Sequence, residues 1–213
     1  MFNRFIWPTL EFSELVKRTR ILIIDNLDFE YEKLFVDDNY SITKWDDVKD
    51  LPKLEQGLFD IILLDIQGIG RKISDEQGFG VLKHLKKVNP TQIVIAYSDA
   101  DYSLKYDEFF KLADDSIDKS KDYLAFKQKI DKFIRVRFSL DYYLDAVHAR
   151  FPGEIKKDKL KKVFEQSIKK QNGESLRQTL EKVGAAKDDI SFALNVLSFV
   201  ITTVTSITGT MKP

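Results

Sequence analysis

The stretch LFDIILLDIQGIG, from Leu58 to Gly70, decides the fold of this chain. Its apolar run from Ile61 to Leu64 contains no polar alternation, which is typical of a central parallel strand buried on both faces. The run ends at Asp65 and then breaks into a glycine-containing loop. Functional groups of open α/β sheets gather at the carboxyl ends of the strands. We therefore predict that Asp65 lies at a functional edge.

A second apolar run, from Ile21 to Ile24, ends in the same way at Asp25 and Asn26. Shorter candidate strands follow, and segments with helical apolar spacing separate them. Five strands that alternate with five helices predict a doubly wound α/β fold with a parallel sheet. The remaining candidate strands are residues 40–45, 93–97 and 117–119.

One predicted helix contains a proline, which is unfavourable in a helix interior. Residues 46–56 have helical character, and Asp46 or Asp47 would be a suitable N-cap. Pro52 would then fall inside the helix, where it removes a hydrogen bond and favours a bend.

The chain has the length of two domains, with 213 residues. Strand patterns cease near Phe138, and the remaining sequence has helical spacing to the end. We predict an N-terminal arm over residues 1–19, an α/β domain over residues 20–136 and a small all-α domain over residues 137–213.

Composition excludes several kinds of chemistry. The chain has no Cys and only two His, so it offers no disulfide, no thiolate and little for a zinc site. Lys plus Arg equals Asp plus Glu at 34 each, which gives no overall attraction to nucleic acid or anionic membranes. These features fit a reducing cytoplasm, which is the location we expect.

Five segments of the first 136 or so residues form an ordered set of motifs. They are ILIIDN, DIILLDI, GFGVLKHLK followed by NP, IVIAYSDA and ADDSIDKS. In both order and spacing, these segments resemble the receiver domain of two-component response regulators. The resemblance implies a flavodoxin-like, five-stranded parallel sheet. It also implies that Asp65 is the phosphoacceptor, that the Ser98 hydroxyl binds the phosphoryl group and that Lys119 is the family's active-site lysine.

The resemblance also implies a Mg²⁺ site and a partner. Asp25 and Asn26 stand where the family has an acidic pair, so these residues and Asp65 are the expected metal ligands. Phosphoryl transfer needs cations to offset the charge of the phosphoryl oxygens, and carboxylates with Mg²⁺ and an ammonium meet that need. The expected partner is a histidine kinase or a phosphotransfer protein, and we expect no enzymatic turnover.

The chain departs from the receiver pattern at several positions. Asn26 replaces the second acid, which predicts weaker binding of the metal. Ser116 replaces an aromatic residue, Ser120 replaces a proline and Asp99 replaces a small residue. The loop over residues 66–77 is longer than usual. These departures leave open an alternative function as a pseudo-receiver, a scaffold that binds proteins without phosphorylation.

The sequence contains partial signals for two other functions, dinucleotide binding and DNA binding. Gly68 and Gly70 after a strand resemble part of a dinucleotide motif, but Ile73 stands in place of the third glycine, so a flexible loop over the site is preferred. The lysines of residues 156–170 are interleaved with acids, and residues 190–200 offer almost nothing to read bases. DNA binding is therefore not expected.

The segment from Ile190 to Met211 contains no charged residue. It is close to the length that spans a bilayer, and its hydropathy is borderline for a membrane helix. Asn195 and many Ser and Thr residues favour burial in protein instead. We predict that apolar residues cover most of this helix and that it packs in the helical domain or in a homo-oligomer, with a membrane-anchored effector as the alternative.

Overall fold

The chain folds into two compact units that divide after residue 137. The computed structural model describes residues 10–99 and 107–208. We call Glu11–Arg137 the sheet unit and residues 138–208 the helical unit. Residues 1–9 of the predicted arm, and the end of the charge-free segment beyond residue 208, lie outside the described residues.

Five parallel strands form the sheet of the first unit. They are β1 (Arg20–Ile24), β2 (Ser41–Trp45), β3 (Ile61–Leu64), β4 (Ile93–Ser98) and β5 (Asp115–Asp118). Their order across the sheet is β2-β1-β3-β4-β5, which is the flavodoxin-like order of doubly wound sheets. The predicted fold class is confirmed.

Helices flank this sheet in the described part of the first unit. They are α1 (Phe12–Arg18), α2 (Glu32–Asp37), α3 (Leu51–Glu55), α4 (Gly78–Val88), α5 (Asp107–Leu112) and α6 (Tyr123–Arg137). Residues 12–18, which fall in the predicted arm, thus form a helix, and α1 packs against α6.

The burial of the strands follows from their sequence patterns. Every residue of β3 is buried, as its unbroken apolar run predicts. β2 alternates between exposed and partly buried residues because it lies at the edge of the sheet. Continuous apolar runs therefore mark the centre of the sheet, and alternation marks its edge.

The structure corrects the prediction for α3. This helix begins at Leu51, and its N-cap is Asp50, whose side chain accepts a hydrogen bond from the backbone N–H of Lys53 at 3.1 Å. Pro52 then lies in the first turn, where a missing N–H removes no helical hydrogen bond. Neither Asp46 nor Asp47 caps the helix.

Four helices form the described part of the helical unit. They are α7 (Leu140–His148), α8 (Lys157–Lys170), α9 (Glu174–Lys182) and α10 (Lys187–Thr208). Their apolar faces meet in one core, in which Tyr143, Phe164 and Leu176 are fully buried. The last helix packs against the other three.

Two distinct faces are present on α10, which corrects the prediction that apolar residues cover most of its surface. One face is buried at the helical spacing of Ile190, Ala193, Leu197, Val200 and Val204. The opposite face is an exposed stripe of uncharged polar residues. That stripe consists of Ser191, Asn195, Ser198 and Thr202.

The segment Lys187–Thr205 within α10 is long and apolar enough to cross a membrane by length and composition alone, with a mean hydropathy of 1.2. Within the protein, 39% of this segment is buried. A core helix of a soluble protein meets the same criteria, so the segment by itself is weak evidence for a membrane span.

Candidate functional site

The sheet ladders bring the predicted site residues to one edge. Ile24 pairs with Leu64 across β1 and β3, so Asp25 and Asp65 are the next residues of two adjacent strands. The backbone N–H of Asp65 donates to the carbonyl of Ile24 at 2.9 Å. Lys119 follows β5 and is likewise held beside β4, because its N–H donates to the carbonyl of Ser98 at 3.1 Å.

Lys119 bridges the two carboxylates. Its Nζ lies 2.7 Å from Asp25 Oδ2 and 3.0 Å from Asp65 Oδ2. The side chains of Asp25, Asp65 and Lys119 are 1%, 6% and 11% exposed. Three charged groups therefore share a nearly dry site, with one positive charge for two negative ones.

Burial and ion pairing have opposite effects on the pKa values of Asp65 and Lys119. Burial raises the pKa of Asp65, and the hydrogen bond and charge of Lys119 offset only part of this effect, while Asp25 adds to it. Burial opposes the charge of Lys119, but its contacts with the carboxylates of Asp25 and Asp65 outweigh burial and raise the pKa of the ammonium. The lysine consequently stays charged at neutral pH.

Asp25 offers an oxygen suited to a cation. Its Oδ1 accepts a hydrogen bond from the N–H of Leu27 at 2.8 Å. Its Oδ2 is buried and accepts no hydrogen bond. The contact of this oxygen with Lys119 is an ion pair. A buried carboxylate oxygen without a hydrogen bond fits a metal ligand, since Mg²⁺ is held in proteins by one or two carboxylates and keeps several waters.

Asn26 lies between the end of β1 and the loop after β3. A Cβ added to Gly68 would lie 3.0 Å from Asn26 Oδ1, so the amide rests directly on that glycine. The positive φ of 79° at Gly68 also favours glycine there. Within the described residues, no three His, Cys, Asp or Glu side chains cluster as a metal site. Asp25 and Asp65 are the two carboxylates at the position of the predicted metal site.

Ser98 ends β4 at the same edge and is partly exposed. Its hydroxyl donates to the carbonyl of Asp99 at 3.3 Å, which turns it toward its own loop. To meet a group on Asp65, this hydroxyl would have to exchange that bond.

The loop over residues 66–77 is anchored, in contrast to the predicted flexible loop. Ile69 is fully buried. Asp47 Oδ1 accepts a hydrogen bond from the N–H of Gly70 at 2.6 Å, and Gln77 Oε1 accepts one from the N–H of Gly68 at 2.7 Å. The side chain expected to cap α3 thus holds this loop instead.

Sequence reasoning missed two side chains beside the site. Lys44 on β2 is 13% exposed, and its Nζ donates to the backbone carbonyl of Asp25 at 2.9 Å. Tyr97 precedes Ser98, and its ring lies under the ammonium of Lys119. Nothing in the sequence around Lys44 indicates that it reaches the site. The position of Tyr97 directly before Ser98, a predicted site residue, could have indicated its role.

Comparisons with known proteins agree with this topology. No family model and no curated protein matches the sequence. Solved structures of receiver domains match about 56% of the chain. The sheet unit has the receiver fold. It is the strand order and not these distant matches that shows the fold.

Three of these structures illustrate the range of the likeness. A CheY-like response regulator receiver domain protein from Methanospirillum hungatei is 22% identical, with 56% of this chain and 95% of that chain covered and a TM-score of 0.43. The response regulator protein TrrA from Thermotoga maritima, in complex with Mg²⁺ and BeF, is 23% identical, with coverages of 54% and 98% and a TM-score of 0.43. The receiver domain of the histidine kinase CKI1 from Arabidopsis thaliana, complexed with Mg²⁺ and BeF₃⁻, is 20% identical, with coverages of 56% and 93% and a TM-score of 0.41.

Proposed function

We propose that this chain is a response-regulator-like signalling protein in which Asp65 accepts a phosphoryl group in the presence of Mg²⁺. The observation that carries this proposal is the contact of one ammonium, on Lys119, with both Asp25 and Asp65 at the carboxyl edge of the sheet. A paired surface lysine would be mostly exposed, whereas this ammonium is buried with two acids. Phosphoryl transfer to a carboxylate requires positive charge close to the reacting oxygen, and the ammonium of Lys119 supplies it.

The chemistry assigned to Asp65 is nucleophilic attack on phosphorus. An oxygen of the ionised carboxylate forms the new bond, the bond from phosphorus to the donor breaks, and the donor's leaving group keeps that electron pair. Lys119 stays protonated and offsets the negative charge that gathers on the phosphoryl oxygens. Asp25, Asp65 and Asn26 would hold Mg²⁺, which supplies a second positive charge when bound.

The donor and the output complete the proposal. A histidine kinase or a phosphotransfer protein would supply the phosphoryl group, in the cytoplasm. The helical unit would be the output module, and we propose that it also forms a homo-oligomer. The protein would act as a switch and not as an enzyme with turnover.

Intact-mass measurement tests the assignment directly. The wild-type chain, incubated with a small phosphodonor and Mg²⁺, should gain one phosphoryl adduct, and Asp65→Asn should gain none. Asn26→Asp should form the adduct faster, because a second acid strengthens the metal site. A wild type that stays unmodified while Asn26→Asp is modified would mean that the receiver has lost its metal site.

The pseudo-receiver scaffold is the second candidate, and the burial of Asp65 favours it. This residue is 4% exposed, so a phosphodonor meets a covered carboxylate. Lys119 already satisfies both acids. In this alternative the wild type forms no adduct, even where Asn26→Asp gains one, and partner binding is the same with Asp65 and with Asn at that position.

The third candidate is a membrane-anchored effector that inserts α10. The apolar length of this helix supports it. Its packing against three neighbouring helices and the polar stripe on its exposed face support burial in the helical unit instead. Fractionation of cells that express the full chain separates these two cases.

A further inference from the structure

Tyr97 contacts the catalytic lysine and has no role in the proposed chemistry so far. The Nζ atom of Lys119 lies over the Tyr97 ring, 5.0 Å from its centroid. Tyr97 is 5% exposed, so this contact is almost free of water. An ammonium over an aromatic face is attracted by the ring quadrupole, and the attraction grows when both groups are desolvated.

Two other aromatic rings hold the Tyr97 ring in place. Phe29 and Phe126 pack edge-on against it, with centroids 6.0 Å and 5.7 Å away. The backbone of Tyr97 is fixed as well, because it pairs with Ile117 in the ladder between β4 and β5. The ring is thus a rigid surface, and rigid surfaces position what rests on them.

Tyr97 lies on the face of the sheet opposite to Ser116. Ala96 pairs with Ser116 and Tyr97 pairs with Ile117, and successive side chains of a strand point to opposite faces. The Tyr97 ring is therefore distinct from the position on β5 at which receiver domains have an aromatic residue.

We propose that Tyr97 is a positioning residue for Lys119, and that its ring, together with Asp25 and Asp65, fixes the ammonium at the site of phosphoryl transfer. This inference rests on the proposed function for its kinetic consequence, but the geometric claim stands by itself. Without the ring, the flexible lysine side chain would sample positions away from Asp65, and transfer would slow.

The hydroxyl of Tyr97 is not needed for this role. Burial, and then the charges of Asp25 and Asp65, raise the pKa of Tyr97, so the hydroxyl stays neutral and adds no charge to the site. Tyr97→Phe keeps the ring and should therefore behave as the wild type. This conservative variant separates the ring from the hydroxyl.

The kinetic test compares three variants at saturating Mg²⁺ with a small phosphodonor. Tyr97→Leu should slow formation of the Asp65 adduct about tenfold, whereas Tyr97→Phe should keep the wild-type rate. Phe59→Leu is the matched control, because Phe59 is a buried aromatic residue of the same unit, 7% exposed, whose ring packs edge-on against Trp45. It should lower stability as Tyr97→Leu does but leave the rate unchanged.

Nuclear magnetic resonance of protein labelled at the lysine ε-carbon gives a readout that needs no phosphorylation. The ε-protons of Lys119, assigned with Lys119→Arg, should be shifted upfield by the ring current. The shift should persist in Tyr97→Phe and Phe59→Leu and disappear in Tyr97→Leu. If Tyr97→Leu does not fold, the upfield shift in the wild type and in Tyr97→Phe decides the matter.

The outcomes separate this inference from the proposed function. Absence of the upfield shift in the wild type overturns the positioning role, as does equal slowing by Tyr97→Leu and Phe59→Leu, which would indicate general packing. A wild type that shows the shift and forms no adduct overturns phosphorylation and leaves the positioning of Lys119 intact.

Discussion

Gly78→Ala should destabilise the sheet unit, because the first residue of α4 touches the backbone at the end of β3. A Cβ at this position would lie 2.1 Å from the carbonyl oxygen of Asp65, 2.9 Å from Ile66 Cα and 3.0 Å from the carbonyl carbon of Asp65. Ordinary contacts begin near 3.4 Å. All three atoms belong to the backbone, so no side chain can rotate away.

The magnitude follows from what has to move. Either α4 shifts away from the sheet by about 1 Å or the end of β3 shifts, and overpacking of this kind costs about 1 to 3 kcal/mol. The buried residues Val81, Leu82 and Leu85 would lose contact with the sheet if the helix moved. Alanine is the better helix former, which returns at most about 1 kcal/mol. We expect a net loss of about 1 to 2 kcal/mol.

Urea unfolding followed by circular dichroism measures this loss, and intact mass measures adduct formation in the same samples. Gly153→Ala is the control. Gly153 has a φ of +83° with open space around it, so this variant has backbone strain but no clash and lies in the helical unit. Gly78→Ala should lower both stability and adduct formation, and Gly153→Ala only stability. A Gly78→Ala variant as stable as the wild type would refute the argument from backbone contact.

Three further predictions concern titration, a buried hydroxyl and the last helix. Burial raises the folded-state pKa of Asp65 above the ordinary 3.8, so the stability that this carboxyl group contributes is present below the ordinary pKa and is lost as pH rises through the raised pKa. Asp65→Asn should therefore be more stable than the wild type at pH 7 and no more stable than the wild type below the ordinary pKa, in urea unfolding at both pH values. Ser167 Oγ is buried without a hydrogen bond, so Ser167→Ala should raise stability by about 1 kcal/mol, and a loss in thermal unfolding would mean that the hydroxyl is paired. The full chain should be soluble without detergent and dimeric by light scattering, and Asn195→Lys, on the exposed stripe of α10, should weaken that dimer. A monomeric wild type would contradict the predicted dimer. Recovery of the full chain only in the membrane fraction would support the membrane anchor.

Local sequence determined the sheet and the residues at its edge. The unbroken apolar runs before Asp25 and Asp65 predicted buried parallel strands, because such runs leave no polar face for water. The carboxyl ends of parallel strands meet at one edge, so the same pattern predicted that Asp25, Asp65 and Lys119 converge. The order of the motifs then predicted the receiver fold.

Tertiary structure decided how each of these groups is used. Asp47 looked like a helix cap, but it binds the N–H of Gly70, 23 residues further along the chain. The charge-free segment looked apolar on most sides, but its neighbours in the helical unit bury one face and leave Asn195 and the hydroxyl stripe in water. Periodicity describes a helix without its partners and so cannot choose which face is covered.

The position of the lysine shows the same division. Sequence placed Lys119 at the edge, whereas its contacts with Asp25 and with the Tyr97 ring join residues far apart in the chain. Packing of the strands and of the Phe29 and Phe126 rings sets those distances. Local patterns fix which groups arrive at the site, and only the packed core fixes the few ångströms between them, because that spacing depends on side chains that no local pattern relates.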